Sequence, residues 1–150
     1  MLKGIHPLLN SDLLYALRAM GHGDSLVISD TNFPAESIAR RTVLGKLLRM
    51  DTTAAQAVGA VLSVMPLDTF IDDAAARMEV VDSPKLILPV MLEVQAAIDQ
   101  AEGKSWPLQS IERYAFYEKA KKAFAVLQTD ERRFYGCFIL TKGVIPPEAW

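Results

Sequence analysis

Between Asn10 and Asp30 the chain reads "NSDLLYALRAMGHGDSLVISD", a helical stripe that passes through a glycine-bracketed loop into a short β-branched run. Leu13, Leu14, Leu17 and Met20 recur at spacings of three and four, the period of one helix face, with Asn10 or Ser11 as the N-cap. "SLVIS", Ser25 to Ser29, is rich in branched residues and bounded by Gly23-Asp24 and Asp30-Thr31-Asn32, the pattern of a buried strand. Helix, loop, strand and polar turn in that order constrain the fold strongly. Alternating units of this kind favour a mainly parallel sheet covered by helices on both faces.

The rest of the chain repeats the rhythm. "DTTAAQAVGAVLSVMPLD" predicts a helix capped by Asp51 or Thr52 and ended by Pro66. "AARMEVV" reads as a strand, and Leu88 to about Ala101 as a helix, with Pro89 in its first turn and Gly103 just beyond its end. "SIERYAFYEKAKKAFAVLQTDERRFYGCFILTKG" then supplies a short aromatic and basic helix, a strand from Ala123 to Gln128, a polar turn and a strand from Cys137 to Thr141. No linker, repeat or low-complexity stretch interrupts the 150 residues. The expectation is α/β: a single three-layer domain over residues 1–150, with a mainly parallel central sheet covered by helices on both faces. A chain of this length removes roughly two-thirds of its unfolded surface from water, and 51% hydrophobic against 23% charged residues supplies an ordinary core.

Charge narrows the partners. The net charge of −2 comes from 16 basic and 18 acidic side chains spread along the chain, so no concentrated basic surface exists to neutralise phosphates and nucleic acid is not an expected partner. Arg40, Arg41, Lys46 and Arg49 form the densest basic patch, which reads as a solvated helix face. Cys137 is the only cysteine, which excludes an intrachain disulfide and a cysteine zinc site. The first residues lack the sustained apolar stretch of a signal peptide, and no segment reaches the ~20 apolar residues of a membrane span, so a soluble cytoplasmic protein without a membrane partner is expected. There is no GxGxxG, GxxxxGK[ST] or HExxH, and His6 and His22, separated by a helix, make a poor metal site; no metal is expected.

In parallel sheets small ligands bind beyond the carboxyl ends of the strands, and Asp30 with the cluster "DTNFP" stands at such an end. Gly21 reads as the C′ glycine that closes the first helix. That leaves His22 with two readings: a solvated loop residue near a helix C-terminus, or an acid–base group near neutrality paired with Asp24 or Asp30. Asp30 itself serves either a site or the cap of the next turn. Arg113 and Tyr117 lie four apart and share a helix face. Arg113 suits either an oxygen-rich ligand or an exposed ion pair, and Tyr114, Phe116 and Tyr117 read first as packing. Tyr135 and Gly136 precede the last strand, where they either read hydroxyls or close the sheet edge.

Taken together, "HPLL", "MGHGD", "SDTNFPAES", "IERYAFYEKAKKAFAV" and "YGCFILTKGVIP", in that order, make the chain resemble the RbsD/FucU family, which L-fucose mutarotase shares with D-ribose pyranase. The stretch from Arg41 to Ser110 carries less of the likeness. The resemblance implies an isomerase that interconverts the α and β anomers of a free pyranose without metal or organic cofactor. The aromatic "RYAFYEKA" block puts L-fucose ahead of ribose. It implies His22 as proton donor, and Asp30, Arg113, Tyr135, Gly136 and Cys137 as sugar-binding residues. Tyr117, on the Arg113 face, is a further candidate for sugar binding, and the chemistry needs a second proton carrier, for which Tyr117, Tyr135 and water are the candidates. It further implies a homo-oligomeric ring of ten subunits with sites completed at subunit contacts. Cys137 replaces the family's asparagine, and a thiol is a poor substitute for a carboxamide. Either that contact runs through the backbone or the sugar preference has changed. A pyranose–furanose isomerase and a non-catalytic monosaccharide-binding or transport accessory protein are the alternatives.

Overall fold

Ser25–Ser29 forms the strand expected of it, β1, with four of its five residues buried. The computed structural model describes residues 1–149. The helices are α1 (Ser11–Ala19), α2 (Ala35–Ala39), α3 (Ala54–Leu62), α4 (Pro89–Glu102) and α5 (Arg113–Lys121). The remaining strands are β2 (Leu47–Met50), β3 (Ala75–Met78), β4 (Gln109–Ile111), β5 (Ala125–Thr129) and β6 (Phe138–Thr141). They form one six-stranded sheet in the order β2-β5-β1-β6-β3-β4. β1, β5 and β2 pair in parallel, as do β3 and β4, and only β6 runs against its neighbours β1 and β3. The mainly parallel α/β sheet expected from the sequence is the one observed.

Successive side chains on a strand point to opposite faces, and β1 shows how the layers arise. Leu26 and Ile28 join the cluster built with α1, α3 and α4, whereas Val27 joins that of α2 and α5, where Phe116 is fully buried. Both faces of the central strand are therefore dry. One consequence is that any polar group at its ends has to find a partner locally.

Local details differ from the expectation where a distant group decides them. Asn10 caps α1, accepting the Leu13 N–H at 2.9 Å. Gly21, however, is not in the left-handed region; Gly23 is, at φ 87°. The last carbonyls of α1 are satisfied instead by the Lys142 ammonium, which donates to Leu17 O at 2.8 Å and Met20 O at 2.6 Å, so the chain leaves the helix extended at Met20 without needing a left-handed residue. Thr53, not Asp51 or Thr52, caps α3, and the helix stops at Leu62, ahead of Pro66. Gly103 is left-handed at φ 67° and caps α4 as expected. The basic patch is not one helix face: α2 ends before Arg40, Arg49 lies in β2, and Lys46 pairs with Asp12 at 3.2 Å. The short elements α2, β2 and β4 carry no pattern long enough to be legible in the sequence.

Candidate functional site

At the carboxyl end of β1 the Asp30 side chain is almost wholly buried and accepts three backbone N–H groups, which leaves Oδ2 room for one more donor. Its Oδ1 accepts the N–H groups of Asn32 and Phe33, each at 2.9 Å, and its Oδ2 accepts the Gly136 N–H at 3.1 Å. Both sequence readings of Asp30 thus meet in one group: it caps the turn into α2 and it ties that turn to the loop before β6. Gly136 has to be glycine here. A Cβ on it would lie 2.7 Å from Glu131 Cγ and 3.3 Å from Asp30 Cβ.

Beside Asp30 opens a cleft of about 290 Å³ whose lining combines the polar Asp30, Arg113, Tyr117 and Tyr135 with Phe33, Met78, Phe134 and Cys137. That volume is at the small end for ligand pockets, which run from about 300 to 1,000 Å³. Arg113 donates its Nε–H to the Tyr117 hydroxyl at 3.1 Å, and its guanidinium carbon stands 5.5 Å from the Tyr117 ring centroid. Among the described residues no carboxylate lies within ion-pair distance of Arg113, so the exposed-ion-pair reading gives way to an aromatic contact. Of the three aromatics read as packing, Phe116 is in the core, Tyr117 is half-buried, and Tyr114 is 69% exposed. Tyr135 adopts φ 62°, a left-handed conformation unusual for a residue with a Cβ, and its hydroxyl accepts the Val81 N–H at 3.3 Å.

Cys137 lines the cleft just before β6, and its carbonyl accepts the Met78 N–H of β3 at 3.0 Å. Burial pushes its thiol well above the usual range, and the Asp30 charge adds to that, so the group is a neutral thiol. Its carbonyl already has one donor, which limits what the Cys137 backbone offers a ligand.

His22 is elsewhere. The loop that carries it lies at the amino end of β1, and the five residues of the strand, at about 3.3 Å each, set it on the order of 15 Å or more from Asp30. One chain does not bring both to one small ligand. Nor does His22 pair with Asp24, whose carboxylate accepts the Gly21 N–H at 2.7 Å. Its partner is Asp68, a residue that no local pattern singles out: His22 Nε2 is 3.1 Å from Asp68 Oδ2. Asp68 Oδ1 accepts the Phe70 N–H at 3.0 Å, and the Phe70 ring stands edge-on to the imidazole at 5.4 Å. The Phe70 N–H holds the Asp68 carboxyl below its usual range against the opposing effect of burial, with His22 adding a smaller push in the same direction. An ionised carboxylate only accepts, so Nε2 carries the proton and Nδ1 is left as the free basic nitrogen. The His22 side chain is 44% exposed.

The lining residues Phe33, Met78 and Phe134 belong to three separate segments; Phe33 lies within the "DTNFP" cluster, whereas no pattern in the sequence points to Met78 or Phe134. Only their convergence in space marks them. No helix among the described residues is long and apolar enough to cross a membrane.

The comparisons with known proteins agree with one another. The RbsD / FucU transport protein family matches residues 3–145. Human fucose mutarotase is 47% identical over 148 residues, covering 96% of this chain and 94% of the human one. The crystal structure of protein Atu2016 superposes with a TM-score of 0.95 at 62% identity, covering 97% of each chain. The fucose mutarotase of Streptococcus pneumoniae, solved in complex with L-fucose, superposes with a TM-score of 0.85 at 34% identity, covering 97% of this chain and all of the other.

Proposed function

The chain belongs to the RbsD / FucU family, and from that premise we propose that it is an isomerase with fucose mutarotase activity, interconverting the α and β anomers of free L-fucose. The observation that carries the reading is the pairing of His22 with Asp68, a proton carrier of fixed tautomer, on a chain that also builds a monosaccharide-sized cleft around Asp30. Mutarotation removes the proton from the anomeric hydroxyl and protonates the ring oxygen, the aldehyde turns, and the ring recloses. Both transfers occur near neutral pH, where an imidazole is effective, and such a group is worth about 10²–10⁴ in rate.

His22 Nδ1, unprotonated in this tautomer, accepts the anomeric proton on ring opening and gives it back on reclosure, the half of the cycle in which it is the proton donor that the family likeness implies. Asp30, Arg113, Tyr135 and the Gly136–Cys137 segment hold the non-reacting hydroxyls, and Phe33, Met78 and Phe134 cover the C–H face of the sugar. The second proton passes through Tyr117, Tyr135 or water. Each of these hydroxyl oxygens already accepts an N–H and so directs its own proton elsewhere.

Because His22 and Asp30 lie at opposite ends of β1, the reading assigns them to different copies of the chain. The His22–Asp68 pair of one subunit faces the Asp30 cleft of a neighbour, in the ring of ten implied by the family likeness. Phe70 at 71% and Ile71 at 40% exposure, next to His22, supply an apolar rim for that contact. We place this activity in the cytoplasm, where the single buried Cys137 stays reduced.

Saturation-transfer NMR on equilibrated L-fucose tests the reading. His22→Ala is expected to lower anomer exchange about 10²-fold or more while the oligomer persists in light scattering. Unchanged exchange in an intact His22→Ala oligomer removes His22 from the role. Running D-ribose in parallel separates the pyranase alternative, and sugar binding with no exchange above the buffer rate would identify a binding-only protein.

A further inference from the structure

The loop bearing Tyr135 and Gly136 hangs on an ion-pair network, rooted in the buried Glu131, that the chemistry above does not use. Glu131, whose side chain is 4% exposed, accepts from Arg133 Nε at 2.8 Å and Nη2 at 2.9 Å, and from the Arg133 backbone N–H at 3.1 Å. The same guanidinium reaches α4, where Nη1 and Nη2 each donate to the Glu93 carboxylate at 2.7 Å. All three guanidinium nitrogens are thus committed to two carboxylates on different segments, a planar two-sided geometry that lysine cannot reproduce.

Two contacts and one constrained backbone conformation connect this network to the cleft. The Glu131 carbonyl accepts the Thr31 N–H at 2.9 Å, in the turn directly after Asp30. The Glu131 side-chain stem is the surface on which Gly136 rests, so close that a Cβ added there would come within 2.7 Å of Glu131 Cγ. Tyr135, between Arg133 and Gly136, is held at φ 62°, which a residue with a Cβ keeps only when its surroundings impose it. Arg133 itself does not line the cleft.

We propose that Arg133, clamped between the buried Glu131 and Glu93, is a positioning residue for sugar binding: it fixes the Tyr135–Gly136 rim over Asp30 without touching the ligand. The inference rests on the reading of the Asp30 cleft as the sugar site. The clamp acts on the binding rim, whereas His22 in the reading above reaches the cleft from a neighbouring copy and Tyr117 stands on α5 outside the clamp, so loss of Arg133 weakens affinity and spares a chemical step that uses these two.

The test measures L-fucose affinity by NMR titration, exchange at saturating L-fucose, and thermal unfolding, for the native oligomer, Arg133→Met and Glu93→Gln. In Arg133→Met the dissociation constant is expected to rise about tenfold or more, with exchange at saturation within about twofold of native. Glu93→Gln, which removes only the exposed half of the clamp, is expected to raise it about two- to threefold. A native-like dissociation constant in Arg133→Met, or a fall in saturated exchange at unchanged affinity, overturns the proposal. If Arg133→Met does not fold, Glu93→Gln decides alone, and unchanged affinity there overturns it. Failure of the native oligomer to bind L-fucose defeats the functional reading instead, which native binding with an indifferent Arg133→Met does not.

Discussion

The imidazole of His22 and the carboxylate of Asp68 meet at 3.1 Å across 46 residues of sequence. The carboxylate is buried and its Oδ1 accepts the Phe70 N–H, while the backbone of the same residue is tied to β6 by the Asp68 N–H, which donates to Thr141 O at 3.0 Å. The end of β6 also carries Lys142, whose carbonyl accepts the Gly23 N–H at 2.9 Å. One strand end therefore sets the position of both partners.

Asp68→Asn tests what the pairing does. An amide offers His22 either a donor or an acceptor, so the proton is no longer confined to Nε2. Anomer exchange is expected to fall about 10²-fold with L-fucose affinity unchanged, and the ¹⁵N shifts of His22 are expected to report mixed tautomers. Native exchange in a folded Asp68→Asn oligomer would count against the pairing as part of the mechanism.

Mixing two inactive variants tests whether the site is shared. Co-assembled His22→Ala and Asp30→Asn chains are expected to recover about a quarter of native exchange, the statistical share of sites drawing each part from an intact donor. Sites confined to one chain would recover nothing. The readout is saturation-transfer NMR before and after reassembly of the mixed subunits.

Gly136 and Gly59 make opposite predictions for the same substitution. A Cβ on Gly136 meets Glu131, which Arg133 pins, so Gly136→Ala is expected to cost about 1–3 kcal/mol and to weaken sugar binding. Nothing lies within 4 Å of a Cβ on Gly59, inside α3, so Gly59→Ala is expected to gain about 0.5–1 kcal/mol. Urea midpoints that do not separate the two variants contradict this role for the loop.

Acid stability depends on the same buried carboxylates. Glu131 is held below its usual range chiefly by the Arg133 guanidinium, and Asp68 chiefly by the Phe70 N–H. A group whose folded pKa is depressed stabilises fully above its unfolded value and loses that contribution as pH falls through the folded one. Thermal stability is therefore expected to decline as pH drops below about 4, and Glu131→Gln is expected to flatten that decline. Parallel curves for native and variant would remove Glu131 from the acid response.

The helices and strands legible beforehand are those whose signals are local. Asn10 needs only the N–H three residues on, Gly103 only its own freedom at positive φ, and Ser25–Ser29 only its branched residues between polar turns. β2 and β4, of four and three residues, exist because β5 and β3 offer them edges, and nothing within them says so. Gly21 misleads for the same reason, since the carbonyls that a left-handed glycine would have satisfied are reached by Lys142 from the other end of the chain.

Read as a string of residues, the chain already settles its α/β order, the strand that ends at Asp30, and the motifs of the RbsD / FucU family, because steric preference, periodicity and side-chain chemistry act over a few residues. Folding in three dimensions settles that His22 pairs with Asp68, that Asp30 pairs with Gly136, and that β1 holds the two groups apart. Those relations follow from sheet register and packing, which bring together residues 46 and 106 positions apart and carry no signature in either partner's neighbourhood.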